Sequence, residues 1–212
     1  MFLSRIELDI SRQNTRRAIA SPQMLHAAVE GCFPNTHGES QRKLWRLDLL
    51  RECMYLVMLS PEQPDFSLFS DQFCSKDNIG EIKDYCLLLE RIQAGQSFQF
   101  RLRGNPVHSI SKEKGVRGKV YAHVTVEQQR NWLVKKAPAC GFGLTEGEFD
   151  VVETRILKFR RKQNEKPVEI KTAVFEGRLE VTDADLFISA LTQGIGRAKA
   201  YGCGLLTIMI PS

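Results

Sequence analysis

The stretch SPQMLHAAVEGCF, residues 21–33, holds a histidine placed to move protons. Imidazole is the side chain whose charge changes nearest neutral pH, which suits it to general acid–base chemistry. The stretch reads as a helix running roughly from Pro22 to Phe33, with Ser21 as N-cap and Pro22 at the first helical position. Met24, Leu25, Ala28, Val29 and Cys32 fall on one apolar stripe. At about 100° per residue, His26 points well away from that stripe and shares its side with Gln23 and Glu30. Two readings follow. One is a solvated surface histidine, the commoner fate on a polar face; the other is a general acid or base.

A second stretch, QGIGRAKAYGCGLL from Gln193 to Leu206, carries Gly194, Gly196, Gly202 and Gly204 with Arg197 and Lys199 between them. A dinucleotide fingerprint would need a third glycine where Lys199 stands. It would also need to follow a strand and open a helix. Here the glycines follow a helical pattern, and only eight residues remain after Gly204. The phosphate-loop pattern GxxxxGK[ST] is absent. Two uses remain: helix capping with close packing, or backbone N–H groups and cations offered to a passing phosphate backbone.

Basic residues cluster twice more. Lys158, Arg160, Arg161 and Lys162 end one long strand pattern, and Arg101 and Arg103 form one face of another. A basic hairpin suits the phosphates of a nucleic-acid duplex. It equally suits a solvated strand end that resists edge pairing. The aromatic RNP1 pattern of sheet-stacking RNA binders is not visible.

Composition bounds the rest. The chain has 212 residues, a net charge of +5 and 42% hydrophobic residues, as expected of a mildly basic globular protein of one or two domains. No apolar run reaches membrane-span or signal-peptide length, so the expected compartment is the cytoplasm. The six cysteines show no CxxC spacing and the four histidines no HxxxH pair. They read as reduced, mostly buried thiols with no metal site and no cofactor.

The elements that must position these residues alternate in a recognisable order. FLSRIELDI reads as a half-buried strand and SRQNTRRAIA as a polar connection to the histidine helix. KLWRLDLL and CMYLVMLS form a hairpin around Arg51 and Glu52. A loop rich in Ser, Asp and Pro leads to a helical or mixed segment around 79–94, and GQSFQFRLRGNP closes a β-α-β-β-α-β unit as its last strand. A second such unit runs from the strand GKVYAHV through a helix with a Thr125/Gln128 capping box. It continues through two long strands and a helix opened by a Thr182/Asp185 pair, and ends on the strand GLLTIMI. The expected fold is α+β, two tandem ferredoxin-like (RRM-like) domains over residues 1–105 and 119–212, with 106–118 as linker.

Three segments together resemble one family. MFLSRIELDI, FRLRGNP and FEGRLEVTD…QGIGRAKAYGCGLL are similar to the CasE (Cse3) family of CRISPR-associated endoribonucleases, in the RAMP superfamily. The most specific piece is FEGxL followed by GxGxxKxxGxGLL, and the similarity spans nearly the whole chain in order. It implies an enzyme that cuts CRISPR precursor RNA at the 3′ base of a repeat stem-loop without a metal. The cut leaves a 5′-hydroxyl and a 2′,3′-cyclic phosphate. The enzyme stays with the crRNA among the other Cascade subunits. The resemblance makes His26 the catalytic histidine, sets the loop from Gly194 to Gly204 near the RNA, and puts Lys158, Arg160, Arg161 and Lys162 on the RNA stem.

One position departs from the family pattern. Gln23 stands where a tyrosine is frequent, one turn before His26. Glutamine can orient a 2′-hydroxyl or a phosphate but cannot take a proton. His26, His37 and Tyr201 are then the candidates for base, and Lys199 or Arg197 for offsetting phosphorane charge. A weakened site would instead leave a repeat-RNA-binding subunit that does not cut.

Overall fold

The computed structural model describes residues 1–34, 42–76, 78–110, 118–160 and 165–210. Its first half contains β1 (Phe2–Leu8), α1 (Gln13–Ala20), α2 (Pro22–Gly31), β2 (Leu44–Leu50), β3 (Cys53–Ser60), α3 (Ser67–Phe73) and β4 (Glu81–Asp84). The strands form an antiparallel sheet in the order β2-β3-β1-β4. With α2 and α3 as the two crossovers, this is a ferredoxin-like unit.

A short helix, α4 (Cys86–Leu89), leads to the second half. There follow β5 (Ser97–Gly104), β6 (Val107–Ile110), β7 (Lys119–Ala122), α5 (Val126–Lys136), β8 (Phe142–Gly143), β9 (Phe149–Phe159), β10 (Val168–Val181), α6 (Ala184–Gln193) and β11 (Leu206–Met209). The second sheet runs β11-β5-β10, with β9 and β8 both on the far side of β10. Strands β5, β9, β10 and β11 with helices α5 and α6 make the second ferredoxin-like unit.

Strand pairing corrects one sequence expectation. Ser97–Gly104, expected to close the first unit, opens the second: Leu102 pairs with Phe175 of β10 on one side and Leu206 of β11 on the other. The segment around 79–94, expected to be helical or mixed, instead supplies the strand that closes the first unit. That strand is β4, whose sequence EIKD holds one apolar residue at a sheet edge. The second crossover helix is α3, inside the stretch expected to be a loop. GKVYAHV, expected to open the second unit, forms β7, which pairs with β6 in a two-stranded ribbon. The sheets therefore divide between β4 and β5, not at residues 105/106.

Local chemistry explains the elements. Ser21 accepts a hydrogen bond from the Met24 N–H at 3.4 Å, with Pro22 opening α2. Arg51 and Glu52 both take positive φ, 48° and 69°, the backbone a two-residue hairpin requires. The capping box at Thr125 and Gln128 is present. The cap of α6 is Asp183, whose carboxylate accepts from Leu186 N at 2.9 Å, rather than the expected Thr182.

Three apolar clusters hold the halves. Ile6, Leu56 and Met58 pack on Leu25 and Val29 of α2 and Phe69 and Phe73 of α3. Phe98, Phe100, Leu102 and Phe175 pack on Trp132, Phe187 and Leu191. Between the halves, Leu44, Val57 and Leu59 of the first sheet meet Tyr85 and Leu205. Beside this third cluster, the buried Arg46 guanidinium makes a bidentate pair with Asp48, at 2.8 Å in each arm. It also donates to the carbonyls of Arg101 and Leu205, at 2.9 Å each. One buried side chain thus ties the first sheet to both β5 and β11.

Candidate active site

Helix α2 buries Leu25 and Val29, which turns His26 toward the junction of the two halves. The His26 side chain is 32% exposed. Its Nδ1 lies 3.9 Å from Oε1 of Glu30, one turn further along the helix. The other Glu30 oxygen accepts from Lys43 Nζ at 2.8 Å, and that ammonium also stands over the Phe33 ring. Met24, expected in the apolar stripe, is instead 43% exposed, because the helix rests on the core through Leu25 and Val29, with Ala28 beside them.

The glycine-rich loop delivers the group that faces His26. After α6 ends, the Ile195 N–H donates to the Gly204 carbonyl at 2.9 Å and closes the loop. The Gly204 N–H donates to the Arg103 carbonyl at 2.7 Å and fastens it to β5. Within the loop, Lys199–Tyr201 forms one 3-10 turn between two left-handed residues, Ala198 at φ 60° and Gly202 at φ 77°. A β-carbon at Gly202 would fall 2.9 Å from the buried Trp45 ring, and one at Gly194 2.7 Å from Leu44. These close approaches seat the loop on β2 and lift Tyr201 toward α2. The Tyr201 and His26 rings meet edge-on with centroids 6.5 Å apart. On its other side Tyr201 packs against Phe159, at 4.7 Å, where β9 ends. The loop, the histidine helix and the end of the basic strand thus converge on one spot.

The remaining candidates divide. Burial holds the Lys199 ammonium below its usual range, and the Arg42 charge pushes it lower. Arg197 is exposed in the same loop. Lys158 pairs with Glu169 at 3.2 Å on the hairpin surface, and Arg160 follows Phe159 directly. Arg161, Lys162 and His37 lie outside the described residues. Arg101 and Arg103 are engaged inside the protein. Arg101 reaches Asp48 at 3.1 Å and pairs with Glu176, and Arg103 faces Glu153 at 3.4 Å. Burial lowers the Arg103 guanidinium from its usual value.

Sequence reasoning missed the Glu30–Lys43 pair, whose members lie thirteen residues apart on different elements. It also missed the roles of Trp45 and Arg46. The signal for Arg46 was present: in KLWRLDLL an arginine and an aspartate alternate on a strand otherwise built for burial. Among the described residues no three His, Cys, Asp or Glu side chains group as metal ligands. No helix there is long and apolar enough to cross a membrane.

Two ferredoxin-like units with a histidine and a tyrosine meeting over a basic, glycine-rich loop define a protein suited to working on RNA phosphates. A model of the family described as CRISPR associated protein matches residues 1–209, and the chain belongs to that family. It is 29% identical to the CRISPR-associated endoribonuclease Cse3 of Thermus thermophilus over 98% of this chain and 99% of that protein. It is 31% identical to the CRISPR system Cascade subunit CasE of Escherichia coli over 56% of this chain and 60% of the relative. A solved structure of Thermus thermophilus Cse3 bound to an RNA representing a pre-cleavage complex superposes with a TM-score of 0.82. It is 27% identical to this chain and covers 98% of each.

Proposed function

We propose that this chain is a metal-independent endoribonuclease that cuts CRISPR precursor RNA at the 3′ base of each repeat stem-loop. It stays on the mature crRNA as a Cascade subunit in the cytoplasm. The carrying observation is the meeting of His26 with Tyr201 in a chain similar along its whole length to an endoribonuclease caught with pre-cleavage RNA.

The reaction breaks one P–O bond and makes another. The 2′-hydroxyl loses its proton and its oxygen bonds to phosphorus. The P–O5′ bond opens in line, and the departing O5′ gains a proton. The ends are a 2′,3′-cyclic phosphate and a 5′-hydroxyl. His26 takes the 2′ proton. The Tyr201 hydroxyl gives its proton to the departing O5′. Gln23 orients the phosphate by hydrogen bonding, and Lys199 and Arg197 offset the charge that builds on the phosphorane oxygens. The N–H groups of Gly194, Gly202 and Gly204 are donated to the Ala190, Lys199 and Arg103 carbonyls, so those glycines shape the loop. Gly196, Arg197 and Lys199 in the loop and the strand end with Lys158, Arg160, Arg161 and Lys162 meet the RNA.

Gln23 favours a competing reading, a subunit that grips repeat RNA without cutting it. Incubating stoichiometric protein with repeat RNA in excess EDTA separates the two. Cutting of the ordinary RNA, with none of an RNA carrying 2′-deoxyribose at the cut nucleotide, supports the nuclease. An intact ordinary RNA, or cutting of the deoxy substrate, rejects the 2′-hydroxyl route.

A further inference from the structure

Away from His26, one cavity gathers cations and rings with no carboxylate in its lining. It lies between the β6–β7 ribbon and α5 and encloses about 620 Å³, lined by His108, His123, Asn131, Trp132, Lys135 and Lys136. The ribbon register sets His108 opposite Tyr121, and the two rings stack at 5.9 Å. The His123 ring sits 4.7 Å from that of His108. Lys136 stands over the Trp132 indole at 5.5 Å.

The Trp132 indole stands between the cavity and the glycine-rich loop. Gly196 approaches the same indole so closely that a β-carbon there would lie 3.1 Å from it. The charges also reach one another along this path. After burial and Arg42, Lys136 adds to the downward push on Lys199. Burial, then His108 and Lys135, hold the His123 imidazole below its usual range. Arg101 and Arg103 each face an internal glutamate, whereas Lys135 and Lys136 have no ion-pair partner among the described residues. Like charges collected without a counter-charge describe a site for an anion. Rings beside them describe an anion that carries stackable bases.

We propose that this cavity binds the single-stranded RNA flanking the stem-loop. Lys135 and Lys136 take its phosphodiesters, and His108 and His123 pack against an unstacked base. The proposal rests on the RNA reading above but concerns affinity, not cutting.

The test compares three RNAs made uncleavable by one 2′-deoxyribose: the bare stem-loop, and the stem-loop extended by single-stranded repeat nucleotides on its 5′ or its 3′ side. The wild type binds one extended RNA more tightly than the bare stem-loop. Lys135→Ala with Lys136→Ala lowers affinity for that RNA about tenfold at 0.15 M salt and flattens its log–log salt slope by about 1.4, some 0.7 per lost phosphate contact. Affinity for the bare stem-loop stays as it was. Lys135 is exposed, so Lys135→Ala alone, with about half the change in slope, serves if the double variant melts early. Exchanging both histidines for glutamine removes a smaller part of the gain. An extension gain that survives the lysine substitutions, or no gain in the wild type, overturns the proposal. If the wild type binds as predicted yet never cuts the all-ribose RNA, the nuclease reading falls and the cavity assignment stands.

Discussion

His26 and Tyr201 come from opposite ends of the chain and meet with their rings edge-on. In the proposed function that meeting supplies the proton-transfer group that Gln23 cannot be. A glutamine one turn before the histidine cannot move a proton, but a phenol arriving from the other half can. Tyr201→Phe keeps the ring that packs on Phe159 and removes only the hydroxyl. Single-turnover cleavage should slow by about 10²-fold or more, within the usual range for a general acid, while RNA affinity holds. An unchanged cleavage rate would take Tyr201 out of the reaction.

At the scale of elements, the glycine-rich loop works by its shape. Gly202 combines a left-handed backbone with a contact on Trp45 that leaves no room for a methyl group. Gly202→Ala should cost roughly 1–3 kcal/mol in strain, lower the melting temperature, and slow cleavage by moving the Tyr201 turn. A variant that melts and cuts like the wild type would show that the loop tolerates a β-carbon there. The sequence pointed to this loop but left its glycines between packing and phosphate binding. Their packing partners, Leu44, Trp45 and Trp132, lie in distant elements that no local pattern connects to the loop. Most elements were legible because each carries its own signal: the Ser21 cap, the Thr125 capping box, the alternation in β5. The elements missed were those whose burial is supplied from outside. In α1, with sequence QNTRRAIA, only Thr15 and Ala18 are buried, and β4 offers one apolar residue to a sheet edge. The assignment of β5 to the wrong unit has the same cause. Its alternation fits either sheet, and only the partners in β10 and β11 decide.

At the scale of the molecule, the site exists because the two halves are fixed to each other, and Arg46 is the principal polar tie. Removing one partner of a buried pair leaves the other charge under-compensated, here with Arg101 at 3.1 Å as the remaining cation on Asp48. Arg46→Met should cost about 3–5 kcal/mol. At about 2–4 °C per kcal/mol for a chain of this size, calorimetry should record a fall of roughly 6–20 °C. The pair also sets a pH limit. Burial raises the Asp48 carboxyl, but the Arg46 hydrogen bonds and the nearby Arg46, Arg101 and Arg103 charges outweigh it and leave it below its ordinary value. A carboxyl depressed in the folded state adds stability that is fully present above its unfolded value and lost as pH falls through the folded one. The contribution of Asp48 should therefore be constant from neutral pH down to about pH 4 and fade below that. Melting curves of Asp48→Asn should show a smaller acid-side decline than the wild type, and an identical decline would remove Asp48 as its source.

The central claim, that His26 drives a 2′-hydroxyl attack on repeat RNA, is tested most directly by identifying the product ends. Repeat RNA incubated with wild-type protein in excess EDTA should yield a 5′-hydroxyl and a 2′,3′-cyclic phosphate. His26→Ala should bind the RNA equally well and form that cyclic phosphate about 10²- to 10⁴-fold more slowly. A 3′-hydroxyl product, or cyclic phosphate formed at the wild-type rate by His26→Ala, would contradict it.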